Sequence, residues 1–239
     1  MADIDNNEKP VKDDRNRLFR YFEVFGNVFG LNICFIIACL PIVTIGASFT
    51  ALYSMCIRLQ ENEEETIIYP FFTEFKKNFK QATLTWLALV VAFVVMAAEF
   101  LVIQKVGGVI GVVYFFVLFI ELLIVVLAIP FLFPLIARYK NTFLGTIKNS
   151  IILSVGYFGS WIKIVVAWVT PVLFSFYFEP MIFLLTWYLW VLFIPAVIAY
   201  GTSYTVRKVF RINSERVEKT NDEKEENKEE KVEETENNR

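Results

Sequence analysis

The chain has 239 residues, of which 56% are apolar and 17% aromatic, including 25 Phe but no His. A soluble domain is usually about half apolar with its charges spread along the chain, whereas here long apolar tracts alternate with short polar connections. The absence of His excludes Ser-His-Asp and Cys-His nucleophilic sites and every His-ligated metal site.

The net charge of −2 combines two different regions. The last 27 residues carry 11 acidic and 6 basic side chains, and the rest of the chain is net basic. That excess is too small, and too little interleaved with aromatic residues, to indicate nucleic-acid binding. We therefore predict no nucleic-acid partner, cofactor or metal.

The N-terminal part predicts a polar leader followed by a broken apolar segment. Residues 1–17 show no apolar period, and an apolar helix is predicted over 18–40. Pro41 ends that helix, and a second apolar stretch covers 42–57. Because this stretch has 16 residues where a span takes about 20, residues 18–57 either cross the membrane twice or form a re-entrant hairpin.

The next segment is amphipathic, with Phe at every fourth position and Lys off that line; its residues are Phe71, Phe75, Lys76, Lys77, Phe79 and Lys80. Such a helix can lie in the membrane interface with its rings toward lipid and its ammonium groups toward phosphate. Two interpretations remain open: a surface anchor, or a docking helix for a cytoplasmic partner.

The remaining apolar tracts predict further membrane helices. Thr83–Gln104 has 22 residues and one charge, which fits a bilayer core about 30 Å thick. The Trp residues, among them Trp161 and Trp168, are predicted to face lipid or the membrane interface. We predict an all-α polytopic bundle with a transmembrane domain over 18–211 and a disordered acidic tail over 212–239, which Glu–Lys pairing makes partly helical at most. The predicted membrane segments are 18–40, 42–57, 83–104, 109–129, 161–178 and 181–205.

The basic residues predict the orientation of these segments. Lys and Arg concentrate before the first span, between the second and third, between the fourth and fifth, and after the last. Under the positive-inside rule, this places both termini in the cytoplasm if residues 18–57 enter and return.

Four polar residues within apolar tracts are candidate solute or relay residues. Glu121 lies near the middle of a span, where an ionised carboxylate costs about 2.5–3.5 kcal/mol. It is either protonated and hydrogen-bonded to a neighbouring helix, or part of a relay or solute contact. Asn32, Thr44 and Ser48 flank the Pro41 break, where they either satisfy freed backbone groups or line a solute pocket.

Two blocks of sequence resemble a known family. They are Leu40–Tyr53, LPIVTIGASFTALY, and Phe71–Ala82, FFTEFKKNFKQA. Together they resemble the YesL-like family of bacterial multi-pass membrane proteins, a domain of unknown function, and the likeness extends over Leu18 to Arg211. Members tend to be encoded beside polysaccharide-utilisation and sugar-uptake components, so the resemblance implies a link to carbohydrate import in a bacterial cell membrane. It assigns no catalytic residues.

These observations support three hypotheses of function. The first is an accessory or scaffolding component of a sugar-import system, with sugar-transporter subunits and the lipid bilayer as partners. The second is an autonomous solute carrier with a polar pocket near Pro41 and Glu121. A membrane-embedded enzyme is the least supported, because Glu99 and Glu121 are predicted at different depths and cannot form a two-carboxylate site.

Overall fold

The computed structural model describes residues 14–61, 66–106, 108–177 and 180–237, and the side chains of 22–61, 66–106, 108–174, 193–220 and 222. Residues 1–13 of the predicted leader lie outside the described residues. The described chain forms seven α-helices: α1 (Asp14–Cys39), α2 (Ile45–Glu61), α3 (Ile68–Ile103), α4 (Gly108–Arg138), α5 (Phe143–Gly156), α6 (Phe158–Tyr177) and α7 (Pro180–Asn237). A short 3-10 turn, Ile42–Thr44, joins α1 to α2.

Helix α2 is the centre of the bundle. Of its apolar stretch, 61% is buried, against 11% in α3 and in α4. Leu52, Met55 and Cys56 on α2 are fully enclosed and pack against α1, α3, α4 and α7. The broad exposed surfaces of α3 and α4 are apolar, which is the surface composition expected where lipid replaces water.

The prediction of an all-α polytopic bundle with a Pro-broken N-terminal hairpin is confirmed. Within the described residues, four helices are long and apolar enough to cross a membrane, namely α1 to α4. The count rises to five if α5 and α6, which meet at a bend of 103°, form one broken span. The first residues of α7 coincide with the segment predicted over 181–205, and the limits of the individual spans stay predictions.

Two elements differ from the sequence-based expectation. The Phe/Lys segment and the apolar tract after it form one helix of 36 residues, α3, because no Gly or Pro separates them. The tail continues α7 as a helix to Asn237, where the sequence predicted mainly disorder. Glu and Lys are good helix formers, and extending an existing helix avoids the nucleation step.

Between the predicted segments 83–104 and 109–129, a turn at Gln104 and Lys105 ends α3, and α4 begins at Gly108. Gly108 has φ +71°, a left-handed conformation that glycine adopts without steric cost. The turn lies at the end of the bundle opposite Arg58, Arg138 and Arg207. We call the end defined by these three arginines the basic end.

Candidate functional site

The polar residues at the Pro41 break bond to backbone carbonyls. The Thr44 hydroxyl lies 2.6 Å from the carbonyl oxygen of Ala38 and 2.7 Å from that of Pro41, and Ser48 donates to the carbonyl of Thr44 at 3.0 Å. From α3, the indole N–H of Trp86 donates to the carbonyl of Ile42 at 2.9 Å. These contacts supply donors to carbonyls at and just after the break between α1 and α2, where Pro41 interrupts the helix.

Asn32 supplies a hydrogen-bond acceptor to the backbone beside a different proline, Pro195. Its side chain is fully buried, and its Oδ1 accepts a hydrogen bond of 3.0 Å from the backbone N–H of Ala196. Ala196 follows Pro195 inside α7, where the proline ring disturbs the helical hydrogen bonds. Asn32 therefore joins α1 to α7 at a helix defect.

The break that Pro130 makes in α4 is compensated in a similar way. Pro130 lacks the N–H that would bond the carbonyl of Val126, and the indole of Trp161 donates to that carbonyl at 3.3 Å. Ser154 donates to the neighbouring carbonyl of Leu127. The sequence predicted that Trp161 faces lipid or the interface. In the structure, its indole N–H instead bonds to the carbonyl of Val126, which Pro130 leaves without a helical donor.

Glu121 lies apart from the three residues above. It is half-buried on α4, and one oxygen of its carboxyl group is buried without a hydrogen-bond partner among the described residues. The same holds for Glu99 on α3. None of the three cavities described below is lined by Glu121, Asn32, Thr44 or Ser48.

The candidate docking residues divide into a buried and an exposed set. Phe71 is fully buried in the core, while Phe75 and Phe79 contact each other with ring centroids 5.5 Å apart and pack partly against that core. The exposed residues are Lys76, Lys77 and Lys80. Phe71 thus fixes α3 to α2, and the surface open to a partner is formed by the lysines.

An aromatic cavity of about 340 Å³ lies inside the apolar part of the bundle. Phe49, Trp86, Phe133 and Trp168 contribute to its walls, and Tyr53 lies among them. The indole of Trp168 donates to the Tyr53 hydroxyl at 3.1 Å, so this Trp, predicted to face lipid or the interface, has a partner inside the bundle. Because its walls are almost wholly apolar and the polar atoms of Trp86 and Trp168 already have partners, the cavity suits an acyl chain better than a sugar.

A second cavity, of about 410 Å³, lies at the basic end where α2, α4 and α7 meet, and we call it the basic cavity. Among the described residues that line it, Glu61 is the one carboxylate, and it pairs with Arg138 at 3.2 Å and Arg207 at 3.3 Å. Two more cations, Lys208 and Arg211, lie on its rim. Of the residues that the structure describes, Arg138, Arg207, Lys208 and Arg211 therefore line the basic cavity, against Glu61 in its wall and Glu215, which lies 3.8 Å from Arg211.

A charged cluster beside the basic cavity holds α3 in place. Glu74 is buried, at 2.9 Å from the Lys77 ammonium and 3.6 Å from the Arg58 guanidinium. A further cavity of about 370 Å³ lies between this cluster and the pair of Glu61 with Arg138. The basic end thus contains two groups of ion pairs, which together link α2, α3, α4 and α7.

Sequence reasoning did not identify the basic cavity. From the sequence, Arg138, Arg207 and Arg211 were assigned only to the positive-inside pattern. No motif in the sequence indicated a role for Glu61. The spacing of Arg207, Lys208 and Arg211 after an apolar helix was the available clue. Their convergence on α4 and α2 depends on tertiary packing.

The fold and the location of its charges define the class of the protein as an α-helical membrane protein of several spans. Residues 28–100 match the model of a family described as "Protein of unknown function, DUF624". The matched region contains both sequence blocks quoted above and covers the second half of α1, all of α2 and most of α3. Comparisons with curated proteins and with solved structures give no significant match.

Proposed function

We propose that this chain is a non-catalytic accessory or scaffolding component of the bacterial cell membrane, with both termini in the cytoplasm. The resemblance to the YesL-like family suggests a sugar-import system as the complex that it serves. The observation that carries the proposal is that the side chains of Asn32, Thr44 and Ser48 already form hydrogen bonds to the backbone. A carrier needs free polar groups along a path, and these three bond to backbone at helix breaks.

The charged surface at the basic end supports a role in assembly. Helix α7 continues from Lys208 to Asn237, which at 1.5 Å per residue gives an arm about 45 Å long. On α3, Lys76 and Lys80 follow Glu74 of the basic end and are exposed. Exposed charges of this kind set partner choice and association rate, so we place the contact with a transporter subunit at these lysines.

Co-purification tests the accessory role. The protein is tagged at its C-terminus, extracted from its native membrane in mild detergent, and the associated proteins are identified by mass spectrometry. We expect a sugar-permease subunit that is lost from the variant Lys76→Ala/Lys80→Ala. Lys105→Ala, an exposed lysine at the opposite end, is the matched control and should retain the subunit. Recovery of the chain alone would contradict the proposal.

An autonomous carrier is the second candidate, because Glu99 and Glu121 each keep one buried carboxylate oxygen that has no hydrogen-bond partner in the described part of the chain. Such a group could exchange a proton during transport. The test is uptake of oligosaccharides by liposomes that contain the purified protein and carry a proton gradient. Uptake that disappears in Glu121→Gln would favour the carrier, and no uptake under any gradient would remove it.

A further inference from the structure

The basic cavity combines high positive charge with an open rim. Arg138 and Arg207 form its inner wall, held by Glu61, and their side chains remain 44% and 32% exposed. On the rim, Lys208 is exposed, and the Arg211 side chain is 73% exposed although its Nε lies 3.8 Å from the carboxylate of Glu215. Arginines held by a buried or half-buried carboxylate keep their orientation, and their guanidinium groups can bind phosphate through two hydrogen bonds.

An exposed apolar stripe on α7 leads from the apolar part of the bundle to this rim. Phe193, Val197 and Tyr204 are 36%, 54% and 68% exposed. Their spacing of four and seven residues places them on one face of the helix. Gly201 lies on the same face, is exposed, and has open space where a Cβ would stand. Lys208 and Arg211 continue this face into the basic cavity.

We propose that the basic cavity binds a phosphate-bearing anion, and that this anion is the headgroup of an anionic phospholipid whose acyl chain lies along the stripe from Phe193 to Tyr204. A basic pocket between membrane helices suits such a headgroup. The apolar stripe favours a lipid over a soluble phosphate ester, since the ester offers nothing to cover it. The proposal is independent of the accessory function.

The test measures lipid binding to the purified full-length protein in detergent micelles, by native mass spectrometry. The probes are phosphatidylglycerol and, as the neutral comparison, phosphatidylcholine. The variant Lys208→Gln/Arg211→Gln removes the two rim cations. Lys140→Gln/Lys148→Gln is the matched control, because it removes two exposed lysines that do not line the cavity. Thermal unfolding without lipid checks that both variants fold.

We expect phosphatidylglycerol to bind more tightly than phosphatidylcholine. The rim variant should weaken the binding of phosphatidylglycerol about tenfold or more, because each basic side chain near an anionic surface contributes about a fivefold factor. The control pair should bind like the unsubstituted protein.

Competition with glycerol 3-phosphate identifies the source of the phosphate. Retention of the lipid in millimolar glycerol 3-phosphate supports the phospholipid. Displacement with the same dependence on Lys208 and Arg211 supports the anion site but assigns it to a soluble phosphate ester. Equal losses in both variant pairs, equal binding of the two lipids, or no binding would overturn the proposal.

Discussion

Single polar residues inside the apolar part of this protein stabilise the fold at positions where proline interrupts a helix. Thr44 serves the break at Pro41, Asn32 the one at Pro195, and Trp161 the one at Pro130. In a bilayer no water can take these hydrogen bonds, so an unsatisfied backbone group costs several kcal/mol. The hydrogen bonds at the proline breaks therefore explain why these polar residues occur in apolar tracts, and no further function is needed to account for them.

At the residue scale, we predict that Asn32→Ala lowers the free energy of unfolding by about 1–2 kcal/mol, because it leaves the Ala196 N–H buried without its acceptor. Thermal unfolding in detergent measures the change. Asn27→Ala, a half-buried Asn on the same helix, is the matched control and should have a smaller effect. If Asn32→Ala unfolded like the control, the structural role of Asn32 would be refuted.

At the scale of helices, the sequence Pro41-x-x-Thr44-x-Gly46 has a physical meaning at each named position. Pro41 ends the first helix, and Thr44 bonds to the carbonyls at the break. Gly46 lets α2 approach α3, since a Cβ there would lie 2.5 Å from the carbonyl oxygen of Ala82 and 2.6 Å from the Cβ of Trp86. The motif therefore specifies a hairpin packed tightly on the third helix.

We predict that Gly46→Ala destabilises the protein by about 2 kcal/mol or more, because α2 and α3 must separate to admit the methyl group. Gly26→Ala on α1, where nothing lies within 4 Å of the added Cβ, should instead stabilise by up to about 1 kcal/mol. Comparison of the two variants by thermal unfolding checks the prediction. Similar unfolding temperatures would show that the close approach of α2 to α3 is not required.

Helix boundaries show where sequence reasoning succeeded and where it did not. The break at Pro41 and the turn at Gly108 were predictable because proline and glycine act locally on the backbone. The sequence did not predict that α3 is continuous, because its composition changes after Lys80 from amphipathic to wholly apolar. That change alters what surrounds the helix, but the backbone hydrogen bonds continue through it. The same local logic does not reveal which helices meet, so the burial of Phe71 against α2 was not predicted.

Across the whole molecule, the charged side chains and the apolar surface occupy different positions along the helix axes. The ion pairs of Glu61 and Glu74 lie at one end with most described cations, while Lys105 lies in the turn at the other. Such asymmetry is what the positive-inside rule relates to orientation. The same asymmetry predicts that these ion pairs lie near the headgroup region of one leaflet.

We therefore predict that Lys105→Cys is labelled by a membrane-impermeant thiol reagent in intact cells, whereas Thr220→Cys on the exposed part of α7 is labelled only after the cells are opened. The unsubstituted protein gives the background, because Cys34 and Cys56 are buried and Cys39 is half-buried. The reverse pattern would place the basic end outside and would contradict the proposed orientation of both termini.

The sequence alone determined the membrane class, the helical architecture and the positions of the main breaks, because hydrophobic length and proline or glycine act on the chain locally. The tertiary structure decided which polar side chains are already bonded and which charges converge. Asn32 meets Ala196, and Glu61 meets Arg138 and Arg207, across long separations in sequence. Such pairings depend on the packing of helix against helix, which no local pattern of residues encodes.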